Sequence, residues 1–186
     1  MFLLPGGLKP VQAVVIDNYD RAAPRGVGNV KVAGNYASDL LPNMAAKKAG
    51  YPIGLYLDAK TNSLIEEFST SNFLAIDKKG AYVTPKSEAI LASVTNKSLM
   101  QLAADQGMDV QVRPVKVDEI VNGNFDEIAA CGTAVVVTPI DKVLYKDSLV
   151  HIGKSQSVGP RIKTLYDRVR RIQNGEELFK DWMVEV

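Results

Sequence analysis

The sequence predicts a mixed α-β domain of the α+β class, in which a barrel-like mixed sheet carries a few helices. Short apolar or alternating segments, which are typical of strands, recur along the whole chain. Many of them follow one another with no helix between, which disfavours a strict alternation of parallel β-α units. Three longer segments instead space their apolar residues as a helix does, with start or stop signals at their ends.

The first half of the chain predicts five strands and one helix. Residues 11–16 (VQAVVI) form the first strand, and residues 17–35, rich in Gly, Asn, Pro and Asp, form a long irregular connection. Connections of this length inside a domain are usually functional or disordered. A helix is predicted over 38–49, ending before Gly50. The further strands are predicted at 53–58, 64–68, 72–76 and 80–84.

The second half predicts two helices and three more extended segments. The helices cover 95–106 and the stretch from Pro160 to near Gly175, where apolar residues share one face. Residues 109–115 alternate and contain Pro114, so this strand is predicted at the periphery of the sheet. The remaining segments are a continuous apolar strand at 133–140 and a pairing element at 143–151.

The composition fits a single domain over residues 1–186 and excludes several classes of function. Hydrophobic residues make up 46% of the chain, and 22 basic against 21 acidic residues give no electrostatic reason for a nucleic-acid partner. The lone Cys131 and lone His151 disfavour a disulfide framework and a metal site. No apolar stretch reaches the roughly 20 residues that cross a bilayer. Because no secretory signal is recognisable either, a cytoplasmic protein is expected.

Lys31 is the first candidate for a chemical role, in the segment Gly26–Tyr36 (GVGNVKVAGNY). A lysine that attacks an aldehyde must be unprotonated, and burial among apolar neighbours such as Val30 and Val32 favours that form. The glycines could let the backbone approach a flat cofactor. On its spacing alone, Lys31 could equally be a surface lysine on a loop.

An acidic pair and two hydroxyl-bearing turns are the other candidates. Glu66 and Glu67 end a predicted strand; a carboxylate there could keep a pyridine ring protonated as an electron sink, or the pair could be a solvated strand edge. The turn 93–96 opens a helix whose free N–H groups could hold a phosphate. The turn 131–134 offers Thr133 beside a glycine. Either turn could also be a plain cap or bend.

The order of these features along the chain resembles one family. The segment Val27–Tyr36 resembles the active-site lysine segment of branched-chain-amino-acid aminotransferases, which are fold-type IV pyridoxal-phosphate enzymes. The further matching segments are 55–58 (LYLD), 67–73, 83–85 (VTP), 94–99 (VTNKSL), 132–134 with Pro139, and 172–175 with Trp182. This resemblance implies the pseudo-barrel large domain of D-amino-acid-aminotransferase-like enzymes, which is the C-terminal, cofactor-binding domain of the family.

The resemblance implies that three residues hold and use pyridoxal 5'-phosphate. Lys31 would form the Schiff base with the cofactor and then carry the proton between substrate and cofactor. Glu67 would pair with the pyridine nitrogen. Tyr36 would donate a hydrogen bond to the phenolic oxygen of the cofactor.

Five further residues would hold the phosphate and the substrate, on the same resemblance. The main-chain N–H groups of Val94 and Thr95, the Thr95 hydroxyl and Thr133 would bind the phosphate. Thr70 would lie near the ring and the substrate. The N–H of Ala134 would face the substrate carboxylate. No metal is implied.

The implied reaction is amino transfer from leucine, isoleucine or valine to 2-oxoglutarate by a homodimer. The family's N-terminal small domain, which supplies the phosphate-binding arginine and much of the substrate pocket, is expected to be absent, so the chain alone would be impaired or inactive. Arg21 and Arg25 do not stand at that arginine's position, and the role is not carried over to them. The alternatives are a non-catalytic remnant or interaction module, or another fold-type IV enzyme (a D-amino-acid aminotransferase or an aminodeoxychorismate lyase), which the pattern around Lys31 and Asn72 disfavours.

Overall fold

The computed structural model describes residues 8–153 and 157–183, which form nine strands and five helices. In chain order the elements are β1 (Val11–Ile16), α1 (Ala33–Ala37), α2 (Leu40–Lys48), β2 (Ile53–Leu57), β3 (Ile65–Phe68), β4 (Ser71–Asp77), β5 (Tyr82–Pro85), α3 (Val94–Asp105), β6 (Val110–Arg113), α4 (Val117–Val121), β7 (Phe125–Gly132), β8 (Val136–Tyr145), β9 (Ser148–His151) and α5 (Pro160–Gln173). No helix among these described residues is long and apolar enough to span a membrane.

Six of the strands close into a barrel. The sheet runs in the order β3-β2-β1-β8-β7-β4, and a further pairing between β3 and β4 closes the ring. Within the ring, β1 is parallel to β2 and β8, and the other neighbours are antiparallel. β5 and β6 continue the sheet beyond β4, and β9 pairs with β8. The predicted mixed, barrel-like α+β architecture is therefore confirmed.

The two largest apolar clusters lie on the two faces of the barrel wall. The alternation of side chains along β4 sends Phe73 into a cluster that all six barrel strands share, so this cluster fills the barrel. Leu74 and Ile76 belong to a second cluster, which packs against α3 and α5. Inside the barrel the Phe73 ring lies 5.8 Å from Phe68 and 6.3 Å from Phe125, centroid to centroid. Both faces of β4 are buried, and the position of the strand is fixed from both sides.

Most predicted elements are present, with shifts at the helix starts. The helix expected from residue 38 begins at Leu40, because Ser38 and Asp39 make tertiary hydrogen bonds instead of capping it. The Ser38 hydroxyl donates to the carbonyls of Arg21 and Asn35, and the Asp39 carboxylate accepts the Tyr56 hydroxyl at 2.6 Å. β6 lies at the end of the sheet order, as its alternation and proline predict.

Three elements were not predicted from the sequence, and two predicted segments, 133–140 and 143–151, were wrong in their bounds. α1, α4 and β7 were missed. Residues 133–135, expected within a strand, form the turn between β7 and β8, and β8 starts at Val136. β8 then runs through Tyr145, so the pairing element expected at 143–151 divides between the end of β8 and β9.

Candidate active site

A small cavity of about 40 Å³, partly open to solvent, lies beside the turn that joins β3 to β4. Its wall includes four of the predicted site residues, Lys31, Tyr36, Glu67 and Thr70. Arg21, which carried no predicted role, lines the same cavity. The fold therefore brings together residues that stand up to 49 positions apart in the chain, since β3 and the connection after β1 meet at this point.

The loop that presents Lys31 is held in shape by hydrogen bonds to its own backbone. The Asn35 side chain donates to the carbonyls of Val27 and Val30, each at 2.9 Å. Lys31 follows directly, and the extended Val32 caps the short helix α1. Asn35, whose role the sequence did not reveal, thus closes the loop around the lysine position.

A glycine lets this loop approach the segment before α3. A Cβ atom at Gly28 would lie 2.8 Å from the Cα of Ala89 and 2.9 Å from the Cβ of Ala22, and closer still to the Ala89 carbonyl oxygen. No larger side chain fits there without a backbone shift. The close approach at Gly28 is to protein backbone. The approach of the glycines to a flat cofactor stays a prediction.

The burial expected at Lys31 is not present. Lys31 is exposed, and its neighbour Val30 is itself 47% exposed, so the two valines do not cover the amine. Tyr36 is 40% exposed on the same side of the loop. The prediction that apolar neighbours bury the Lys31 side chain is wrong, because the loop turns Val30 towards solvent.

Glu67 is buried in the cavity wall, with 5% of its surface exposed. Its Oε1 lies 2.6 Å from Nη2 of Arg21, and its Oε2 accepts a hydrogen bond of 3.1 Å from the Asn72 amide. Burial raises the pKa of the Glu67 carboxyl to about 7, against the lowering effects of the Arg21 charge and a hydrogen bond from the Leu91 backbone. Glu66 is equally buried, so the alternative of a solvated strand edge is excluded.

The first turn of α3 offers backbone N–H groups, as the sequence predicted. The Ser93 hydroxyl caps the helix by accepting the N–H of Asn96 at 3.1 Å. The N–H groups of Val94 and Thr95 belong to the first turn of the helix and have no intrahelical acceptor. The Asn72 amide donates to the Leu91 carbonyl at 2.9 Å, which ties the segment leading into α3 to the cavity wall. Neither Val94 nor Thr95 lines the cavity itself.

The turn between β7 and β8 carries Thr133 and Ala134 beside the same cavity. Cys131 pairs with Asn72 across the two strands, and a Cβ at Gly132 would lie 3.7 Å from the Cβ of Ser71. Thr133 and Ala134 are exposed in this turn and do not line the cavity. The turn therefore lies next to the β3–β4 turn that carries Thr70, at the edge of the cavity.

No group of three or more His, Cys, Asp or Glu residues that could hold a metal ion occurs within residues 8–153 and 157–183. What the cavity does offer is an accessible primary amine, a buried carboxyl and a nearby helix N-terminus. This set complements an aldehyde, a protonated ring nitrogen and a phosphate, respectively. The residues present therefore fit pyridoxal 5'-phosphate.

The six-stranded barrel, with an amine and a buried acid in one cavity, agrees with what the resemblance to fold-type IV aminotransferases implies. The chain belongs to the amino-transferase class IV family, whose model matches residues 3–143. It is 41% identical over 188 aligned positions to a branched-chain-amino-acid aminotransferase of Haemophilus influenzae, which covers 97% of this chain and 54% of that protein. A relative of the same name from Helicobacter pylori is 45% identical over 173 positions, covering 90% of this chain and 48% of that protein.

Solved structures show the same fold. The branched-chain amino acid aminotransferase from Escherichia coli superimposes with a TM-score of 0.76 at 27% identity, covering 94% of this chain and 56% of that one. A second branched-chain amino acid aminotransferase, complexed with N-(5'-phosphopyridoxyl)-L-glutamate, gives a TM-score of 0.79 at 27% identity and covers 90% of this chain and 53% of that one. The predicted pseudo-barrel domain is confirmed, and the chain spans about half the length of the relatives it matches.

Proposed function

We propose that this chain is the cofactor-binding part of a pyridoxal-phosphate-dependent aminotransferase that acts on leucine, isoleucine or valine with 2-oxoglutarate. The observation that carries the proposal is the shared cavity of the Lys31 amine and the buried Glu67 carboxyl. The named relatives support the branched-chain substrates. The phosphopyridoxyl-glutamate in the second solved structure supports glutamate and 2-oxoglutarate as the second pair.

Pyridoxal 5'-phosphate, when bound, supplies the aldehyde that takes up the amino group and the ring that withdraws electrons. Lys31 holds the cofactor through its amine and moves the proton at the substrate α-carbon, for which its exposure in the cavity leaves room. Glu67 accepts the hydrogen bond of the ring nitrogen in a buried setting, where a carboxylate keeps that nitrogen protonated. Tyr36 donates to the phenolic oxygen.

The turns around the cavity take the charged ends of cofactor and substrate in this proposal. The first turn of α3, with the N–H groups of Val94 and Thr95, and the hydroxyl of Thr133 hold the phosphate. Thr70 contacts the substrate near the ring. The N–H of Ala134 orients the substrate carboxylate.

The isolated chain should bind the cofactor better than it turns over substrate. Among the described residues that line the cavity, Arg21 is the one arginine, and it already pairs with Glu67. The phosphate therefore gains no arginine from this wall. Leucine turnover by a pure sample at rates typical of aminotransferases would contradict this expectation.

Covalent uptake of pyridoxal 5'-phosphate tests the proposed function directly. The purified chain should develop the absorption band of a lysine adduct, which borohydride should fix on Lys31 as read by peptide mapping. Lys31→Ala should abolish the band, while Lys47→Ala, on the exposed end of α2, should leave it intact. A wild-type chain without the band, or labelling at another lysine, would sink the proposal.

A homodimer is proposed as the assembly, and α2 offers a surface for it. Leu40, Leu41 and Met44 are 62%, 68% and 67% exposed on this helix. Exposed apolar patches of this kind favour association. This surface also suits the alternative of an interaction module without catalysis.

Light scattering should give twice the chain mass and a smaller mass for Leu41→Glu; a monomer at high concentration would refute the dimer. Location in the cytoplasm stays a prediction of the sequence.

A further inference from the structure

Arg21 lies in the connection after β1 and is 6% exposed. Its Nη2 is 2.6 Å from Oε1 of Glu67 on β3. The same nitrogen donates to the carbonyl of Ala89, in the segment before α3, and lies 3.4 Å from the carbonyl of Gly28, in the loop before Lys31. One guanidinium group therefore joins the three segments that surround the cavity.

Burial makes the charge of Arg21 costly unless it is matched. Its Nε has no hydrogen-bond partner among the described residues, so the guanidinium is not fully satisfied. A buried ion loses its hydration, and only a well-placed opposite charge compensates for that loss. Because carbonyl groups alone could be bridged by a neutral amide, the position of a charged group here points to the Glu67 carboxylate as its target.

The surroundings of Glu67 contain both favourable and unfavourable groups. Burial has the largest effect and favours the protonated carboxyl, and the charge of Glu66 on the same strand acts in that direction too. Arg21 and the Leu91 backbone favour the ionised form. The Asn72 amide donates from β4, and the buried Cys131 thiol, whose pKa is raised to about 12 by burial and then by Glu67, stays neutral. Lys31 and Tyr36 line the same cavity.

We propose that Arg21 is the positioning residue of this site. It holds the Glu67 carboxylate ionised and in place for the ring nitrogen. It also fixes the loop before Lys31 beside that carboxylate. The inference rests on the proposed function, since the ring nitrogen is that of the proposed cofactor. Arg21 acts through Glu67 and through the loop carbonyls, without itself contacting the reacting atoms.

The experiment measures how the Glu67 carboxyl titrates when Arg21 is changed. Carboxyl ¹³C NMR of glutamate-labelled protein follows Glu67, and Glu67→Gln assigns its signal. Arg21→Met should raise the proton affinity of Glu67 at least tenfold, since an opposite charge this close shifts a carboxyl pKa by about 1–3 units. Arg21→Lys should restore part of the difference. Arg113→Met, which removes a half-exposed pair with Glu119 outside the cavity, should change nothing at Glu67.

Pyridoxal 5'-phosphate gives the second readout, and it separates the two proposals. Arg21→Met should weaken uptake of the cofactor at pH 7, and uptake should recover at higher pH, where Glu67 ionises without help. A wild-type chain that takes up no cofactor refutes the proposed function, while the titration of Glu67 still decides the role of Arg21. A Glu67 titration that is unchanged in Arg21→Met overturns the role of Arg21, whether or not the cofactor binds.

A double variant covers the case in which Arg21→Met does not fold. Glu67→Gln removes the carboxylate that the arginine neutralises, so Arg21→Met should be tolerated in that background. Folding of the double variant, read by circular dichroism, then supports the proposal. Failure of both the single and the double variant, with Glu67→Gln itself folded, overturns the link to the carboxylate, because Arg21 would then act only through the carbonyls of Gly28 and Ala89.

Discussion

Replacing Glu67 with glutamine should remove about 3 kcal/mol of pH dependence from the free energy of unfolding of the free chain. Burial raises the pKa of the Glu67 carboxyl from its ordinary 4.5 to about 7 in the folded state. Each pKa unit that separates the folded from the unfolded state corresponds to about 1.4 kcal/mol, which gives about 3 kcal/mol for this group. The residue is 5% exposed, so solvent screens little of this energy.

The sign follows from which state holds the proton. Below pH 4.5 the carboxyl is protonated in both states and its burial is tolerated. As the pH rises towards 7, the unfolded chain releases the proton first. The unfolded state is thereby stabilised relative to the folded state, and the free energy of unfolding falls. The contribution is present in full below the unfolded pKa and is lost through this window.

Urea unfolding followed by circular dichroism at several pH values between 4.5 and 7.5 measures the effect. The wild-type profile also contains other groups, including Glu66, whose pKa burial raises as well. The difference between wild type and Glu67→Gln therefore isolates Glu67. Glu88→Gln, at an exposed position near the same segment, should keep the wild-type profile. Profiles of wild type and Glu67→Gln that run parallel from pH 4.5 to 7.5 would refute the reasoning.

Three further predictions concern the backbone and the packing of the chain. Gly28→Ala should destabilise the chain and weaken cofactor uptake, because its Cβ would collide with the Ala89 backbone; Gly34→Ala, with nothing within 4 Å, should do neither, and equal effects in thermal melts would contradict this. Lys146→Gly should stabilise the chain by about 1 kcal/mol, since Lys146 has φ +54 in the tight β8–β9 turn, and lower urea resistance would count against it. Cys131, whose pKa burial raises to about 12, should react with iodoacetamide at pH 8 only after unfolding; rapid labelling of the native chain would be the opposite result.

Local pattern was sufficient for most of the fold. The strand at 11–16 and the helix from Pro160 appear where their apolar patterns predict them. Each pattern places the apolar residues where that one type of element can turn them towards the core. β7 was missed because its sequence, FDEIAACG, carries two acids directly after its first residue and is then buried on both faces, so it shows no alternation. The six-strand ring depends on pairings such as β3 with β4 and β1 with β8, and strand order is not encoded in the period of any single strand.

For the candidate site, too, some features were predicted from the sequence and others depend on the tertiary structure. The sequence by itself predicted which residues would carry the chemistry, because the order of Lys31, Tyr36, Glu67, Thr95 and Thr133 resembles one family. That family is confirmed, and the roles of the five residues stay predictions. Only the tertiary structure decided their environments. Lys31 is exposed, although its apolar neighbours predicted burial. Glu67 is buried, although the sequence also allowed a solvated strand edge at this position. Arg21, 46 positions before Glu67, lies against it because burial and ion pairing depend on which strands meet in space, and no local pattern records that.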